Sequence, residues 1–524
     1  MEELLFALLV GLWKLIVRAY KGIRGWWHGR KEENEAQPMQ RPSAERAPAS
    51  PRAVDPYGQQ REAVRDQLQA LQNEADAQSS TLGRSSANLP LGQALDRTVV
   101  QRSLELRQEI DRLSSDPTGT VDLARIAAET RSLKRASETL VWIATQRDHA
   151  KYSAPLAAAD RLATACYGPL VSFAGHHFTT PDRAPVSFVA ARERLDLRTF
   201  PAAGLTAIAL PDVFPDRLSG WAMVAHEVGR DFLESVQGLK WEVRNRFGLP
   251  DRYPVPFASR GYLSEDEVLL PFGPWLEVLF GDLVGSLLLG PAYAQALAQL
   301  LANPRNPSAV ASVGVSSDGS HYSNQPPAQL RMAVAVAVMD DLGEEEEQQR
   351  IWRSWNERHG WPQAMYLPTR VEGWIEAPMS AFSEMAEQVA DLMLLEPLGA
   401  LGDRSLDGVS GLAYSDLQQS AVDQVKAVAL AGGDGSATDP RALLAGVLSA
   451  EQEAPHRSRD LLRWLGRTLA PQASPYRRRR PEAATTAAGA PAGDDFPSLL
   501  RDAVILDAIL TRPRPGARFP SAPR

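Results

Sequence analysis

Trp221-Ala-Met-Val-Ala-His226-Glu227-Val-Gly229-Arg230-Asp231-Phe-Leu233 is the stretch on which the reading of this chain turns. Its apolar residues predict a helix, entered through a loop from a short strand at Ala207-Ile-Ala-Leu-Pro211. His226 and Arg230 lie four residues apart, so their side chains share one helical face, with Glu227 beside them. An imidazole offers a lone pair to a cation, whereas a guanidinium stays charged and offers none. This face therefore carries one metal-binding group and, one turn later, a group that cannot bind a metal.

The pattern is one residue away from H-E-x-x-H, where two histidines grip one zinc ion and the glutamate is the general base. Two later segments extend the likeness. Trp275-Leu-Glu277-Val278-Leu-Phe-Gly281-Asp282-Leu-x-Gly285 leads to Gly290-Pro291-Ala292-Tyr293, and His321 precedes Gln325-Pro326-Pro327-x-x-Leu330-Arg331. In this order the segments resemble gluzincin-type zinc peptidases. They are also similar to segments of uncharacterised bacterial proteins that join an H-E-x-x-H helix to W-x-E-E-I-x-A-D-L-x-G…G-P-A-Y and H-P-P-x-x-L-R elements. The resemblance covers roughly 155–341. It implies a zincin-like domain in which His226 is a metal ligand and Glu227 polarises water.

The departures bear on function more than the matches. In that pattern the third ligand is a glutamate four residues before the aspartate; four before Asp282 stands Val278, and Glu277 is rotated from that direction by about 100°. A catalytic zinc site uses three protein ligands and an open position for water. With Arg230 and Val278 in two of those places, the expectation is a domain without zinc. Arg230 would pair with Glu227, Glu277 and Asp282 in the old cleft, with Asp231 beside it. The alternative is a working zinc peptidase. Glu387-Gln-Val-Ala-Asp391 has E-x-x-A-D spacing, and Glu387 with a distant histidine (His321, His176 or His177) would complete the metal shell around His226.

Outward from this domain, set at 151–400, the pattern is helical on both sides. Residues 56–150 predict a helical hairpin or coiled-coil stalk, with Val99, Leu106, Ile110 and Leu113 forming one apolar stripe. The stalk is also a possible oligomer contact. Further helices are expected at Trp275–Leu289, Ala328–Asp341, Glu344–Arg358 and Ser380–Leu395, with a surface loop at 303–327. A small helical extension at 401–469, a low-complexity linker at 470–495 and a short helix with a tail at 496–524 follow. Upstream, 29–55 is Pro-rich and charged, the composition of a disordered linker.

Residues 1–28 read as a membrane anchor helix. Leu4 to Val17 is apolar apart from Lys14, and Lys14, Arg18, Lys21 and Arg24 follow it among Trp13, Tyr20, Trp26 and Trp27. A cleaved signal puts its positive charge first, and here it comes last. The positive-inside rule then places the body on the cytoplasmic side of a bacterial inner membrane. The apolar run is short of the roughly 20 residues that span a bilayer, so a short span and an in-plane helix both stand.

Composition narrows the function further. The 524 residues carry a net charge of -8 without a basic domain, so no nucleic-acid partner is expected. Cys166 is the only cysteine, which removes disulfides and thiolate metal sites. The expected molecule is mainly α with a small β element. It is a membrane-tethered pseudoenzyme that binds a peptide or protein, with no cofactor, or with zinc should it be active. A purely structural adaptor is the third possibility.

Overall fold

The structure is a computed structural model that describes residues 57–470 apart from short internal stretches, the longest being 175–184 and 191–204. The expected anchor at 1–28, the linkers and the C-terminal helix lie outside the described residues, as do His176 and His177. The described chain is mainly helical with four short strands. It divides into two units: 57–77 with 96–137, and 78–95 with 138–470.

In the first unit run parts of helices α1 (Gly58–Leu82) and α4 (Pro117–Asp148), with α3 (Arg102–Arg112) between them in sequence. A π-helical turn at Asp96–Gln101 links α3 to the short α2 (Leu89–Leu95). Val99, Leu106 and Ile110 are buried, as their spacing predicts, and Leu113 is half-buried. Arg102 reaches Glu105 at 2.7 Å and Glu129 at 2.6 Å, and Arg125 reaches Glu109 at 2.6 Å. The unit is thus built from three helical segments rather than a two-helix hairpin.

The second unit differs from the expected partition. Residues 401–469 are integral to it, not an appendage. Helix α15 (Pro440–Glu453) buries residues on every side, including Leu443, Leu444, Val447 and Leu448. Such a helix has no face left to show to water. It packs on α5 (Ser153–Ala174) and on α14 (Gln419–Ala431), where a Cβ on Gly446 would come within 2.6 Å of Val425. Helix α16 (Ser458–Leu469), the last described element, packs against α5.

The β element expected at Ala207 is strand β2 (Ala207–Leu210), paired in parallel with β1 (Val186–Val189), with Val186 opposite Ala207. The outer edge of β1 is capped by side chains. Gln146 both donates to Val189 O and accepts from Val189 N, at 2.9 Å each, while Asp160 accepts from Ser187 N at 2.6 Å and Arg147 donates to Ser187 O at 3.1 Å. These groups fill the places of a third strand, so the edge is closed to an added peptide.

Helix α6 (Leu218–Ser235) follows β2 and leads through Gly238 (φ 84°) into α7 (Leu239–Phe247). Past the short α8 (Glu265–Leu269) comes α9 (Phe272–Leu289), mostly apolar, charged only at Glu277 and Asp282, and buried except at Pro274 and Glu277. It is the one described helix long and apolar enough to cross a bilayer, yet 89% of it is buried within the unit. It stops at Gly290 (φ 57°), and Pro291 opens α10 (Pro291–Leu301), the pairing of residues favoured at such a junction. Helices α11 (Ala328–Asp341), α12 (Glu345–His359) and α13 (Met379–Leu395) match their expected positions to within a residue or two. Between α12 and α13 lies an antiparallel hairpin, β3 (Ala364–Pro368) with β4 (Trp374–Pro378), which the sequence reading missed.

Candidate functional site

Helices α6 and α9 cross closely because two glycines meet there. A Cβ on Gly281 would lie 2.7 Å from Arg230 Cγ and 2.8 Å from His226 Nδ1, and one on Gly229 would lie 2.6 Å from Val284 Cβ. The missing side chains let His226, Arg230 and Asp282 come together at the crossing.

On one side of the crossing is a buried cluster around Asp282. Its carboxylate accepts two hydrogen bonds from Arg331 on α11, both 2.7 Å, one from Tyr293 Oη on α10 at 2.6 Å, and faces His226 Nδ1 at 2.8 Å. Burial works to protonate Asp282, but the Arg331 charge and the His226 contact hold its carboxyl well below the usual range. Burial conversely pushes His226 down to about 4, against the pull of Asp282, so the imidazole is neutral at neutral pH. Its Nδ1 proton points to Asp282, which fixes the tautomer with the lone pair on Nε2.

On the other side lies a string of alternating charges. Arg230 Nη1 is 3.3 Å from Glu227 Oε1, and its Nη2 is 3.5 Å from Glu277 Oε2. Lys240 on α7 pairs with both Glu277 and Glu234. Glu277 is drawn down to about 2, its burial outweighed by the Lys240 ammonium and by Arg230. The string runs from the interior to the surface: Arg230 is 6% exposed, Glu277 29% and Lys240 31%. It ends beside a groove of about 440 Å³ lined in part by Leu233, Glu234, Val236, Lys240, Trp241 and Arg244. Trp241 stands 71% exposed there.

Glu227, Arg230 and Glu277 thus meet as the sequence suggests, but two expected members do not join them. Arg230 pairs with Glu227 and Glu277, while Asp282 takes Arg331. Asp231 turns away, accepting from Tyr167 Oη at 2.7 Å and Ser235 Oγ at 3.4 Å, which ties α6 to α5. Nor is there an open cleft over the centre, since the side chains of His226, Glu227, Arg230 and Asp282 are 3%, 7%, 6% and 0% exposed. Glu277, at 29%, is the most exposed of the residues that contact Arg230.

Of the alternative metal shell, Glu387 and His321 lie within the described residues and His176 and His177 outside them. Glu387 is exposed on α13, where burial and the charges of Asp391, Glu384 and Asp340 raise its carboxyl. His321 bridges to Pro254, with its Nδ1 2.6 Å from Ser320 Oγ. Among the described residues no group of three or more His, Cys, Asp and Glu side chains is placed to hold one ion. Zinc does not fit the donors at the crossing: His226 Nε2 has for neighbours one carboxylate already facing a guanidinium, and Val278 is aliphatic and buried.

Arg331 and Tyr293 are the residues the sequence reading quoted without giving them a role. Arg331 lies 49 residues beyond Asp282 and Tyr293 eleven beyond it on the next helix, across the Gly290 break, so no helical spacing rule ties either to Asp282. Their only signal was their place in the Leu330-Arg331 and Gly290-Pro291-Ala292-Tyr293 segments. No protein-family model matches this chain, no curated protein matches it, and no solved structure matches it.

Proposed function

We propose that this is a membrane-tethered cytoplasmic protein of a bacterium whose zincin-like domain has lost peptidase chemistry and works by binding a peptide or protein. The observation that carries the reading is Arg230, one turn after His226, with its guanidinium between Glu227 and Glu277. A fixed positive charge thereby neutralises the carboxylates that a divalent ion would otherwise face. His226 keeps the orientation that a ligand would need, held through Nδ1 by Asp282. The framework of the site persists without the ion.

Recognition then belongs at the outer end of the charge string, not over His226. The groove beside Trp241 is lined by the buried Leu233, Val236 and Leu249 and by Glu234, Lys240, Arg244 and Asp251, charges of both signs. An exposed tryptophan beside such a groove is the kind of residue that anchors a peptide. The adaptor reading shares the tether, and it has in its favour that the motif itself is core.

The test is a pair of variants in cells. Glu227→Gln, with the fold retained, should leave function intact, because no proton transfer depends on it. Trp241→Ala should abolish recovery of the partner by crosslinking. Loss of function in Glu227→Gln alone would restore the peptidase reading. Unchanged crosslinking in Trp241→Ala would favour the adaptor.

A further inference from the structure

The groove beside Trp241 and the charge string that leads to it carry more acid than base. Arg230 lies between Glu227 and Glu277, Lys240 lies between Glu277 and Glu234, and Arg244, further along α7, contacts Asp251. Four carboxylates thus face three cations, and each cation is already engaged. Two other charged residues of α7, Glu242 and Arg246, pair with each other at 3.1 Å, and Glu242 also accepts from Gly399 N and Ala400 N. Neither they nor Arg252 line the groove. The surplus falls on Glu234. It ends the string and shares Lys240 with Glu277, and the last turn of α6 holds no basic residue. Burial raises its carboxyl against the pull of Lys240, and the Glu277 charge adds to the rise. The acids also stand farther out: Asp251 is 82% exposed and Glu234 35%, against 31% for Lys240 and 16% for Arg244.

We infer that the groove takes a basic side chain of the bound peptide, arginine before lysine, with its charge set against Glu234 and its planar head over the Trp241 indole. The inference rests on the peptide-binding reading proposed above and names the chemistry of the partner. An acidic side chain would meet unbalanced negative charge. A neutral one would cover the half-buried Glu234 without supplying a counter-ion. A guanidinium answers both features of the groove: its fork matches a carboxylate, and its flat face stacks on an aromatic ring. The Trp241 ring stands exposed, open to such a partner. The groove's volume of about 440 Å³ falls in the range of sites that enclose a ligand.

The test is selection from heptapeptide libraries whose central residue is fixed as arginine, lysine, norleucine or glutamate, the other positions being randomised among uncharged residues. Each library is passed over the purified full chain in detergent. A second full chain, with Arg477, Arg478, Arg479 and Arg480 replaced by alanine, is treated in the same way. Arginine-centred peptides should be retained about tenfold better than norleucine-centred ones, with lysine between and glutamate last. The preference should vanish in Glu234→Gln. It should survive in Glu387→Gln, which removes the same charge from the acidic surface of α13. An unchanged preference in Glu234→Gln, or an equal fall in Glu387→Gln, overturns the inference, because the basic residue is then held elsewhere or by charge alone. Preference for norleucine or glutamate overturns it while the peptide reading stands. An arginine preference that emerges only in the alanine-substituted chain gives the groove to this chain's own tail and overturns the partner. Retention of no library by either chain removes the peptide reading and the inference with it.

Discussion

Asp282 on α9 and Asp391 on α13 stand in sequence frames that echo each other, Glu277-Val-Leu-Phe-Gly-Asp282 and Glu387-Gln-Val-Ala-Asp391. Their surroundings are opposite. Asp282 is wholly buried and kept ionised by Arg331, with Tyr293 and His226 completing its contacts. Asp391 sits among other acids, and burial together with Asp340 raises its carboxyl. The second frame has the better ligand spacing and, among the described residues, gathers no counter-charge. Spacing along a helix sets which way a carboxylate points, but a site requires a partner brought from another element.

The largest effect should come from separating Asp282 from its partner. Arg331→Met leaves a buried carboxylate uncompensated and should cost about 3–5 kcal/mol in denaturant unfolding. A loss under about 1 kcal/mol would mean that the pair is not the anchor of the crossing.

Acid titration comes next. Because burial holds folded His226 at about 4 against 6.5 unfolded, the unfolded chain binds the proton first. This contribution is intact above pH 6.5 and is lost as pH falls toward 4, by up to about 3 kcal/mol. Asp341 works the other way. Burial and the charges of Asp391, Asp340 and Asp407 lift it to about 6, so its folded form gains stability as pH drops through that value. His226→Asn should therefore flatten the loss, and Asp341→Asn should steepen it. The slope of stability against pH, rather than its level, is the readout.

Gly281→Ala should cost about 1–3 kcal/mol, since the new methyl meets His226 and Arg230 across the crossing. Gly466→Ala in α16 has open space around it and should instead stabilise by about 0.5–1 kcal/mol. Smallest of all is Asp391→Asn, which relieves repulsion among exposed acids and should gain no more than about 0.5 kcal/mol. A loss there would show that Asp391 has a partner after all.

Much of the helical order was readable because apolar periodicity is local. The motif helix, α9 and the helices from α11 to α13 fall where their patterns put them. The β3–β4 hairpin escaped because its inward residues, Met365 and Leu367 opposite Ile375 and Ala377, make an alternation too short to separate from a loop. The 401–469 boundary failed because a fully buried helix such as α15 declares its membership only through what packs on it. At the site, the pairing of Arg230 with Glu227 follows from one helical turn. The partnership of Arg331 with Asp282 required the fold.

The central claim is that a guanidinium occupies the place of a ligand and leaves the centre without an ion. Zinc analysis of the purified full chain tests it, beside the double variant Arg230→His with Val278→Glu, which returns imidazole and carboxylate to the faces of His226 and Asp282. Substoichiometric zinc in the natural chain and close to one equivalent in the variant is the predicted result. A full equivalent bound by the natural chain through His226 would contradict it.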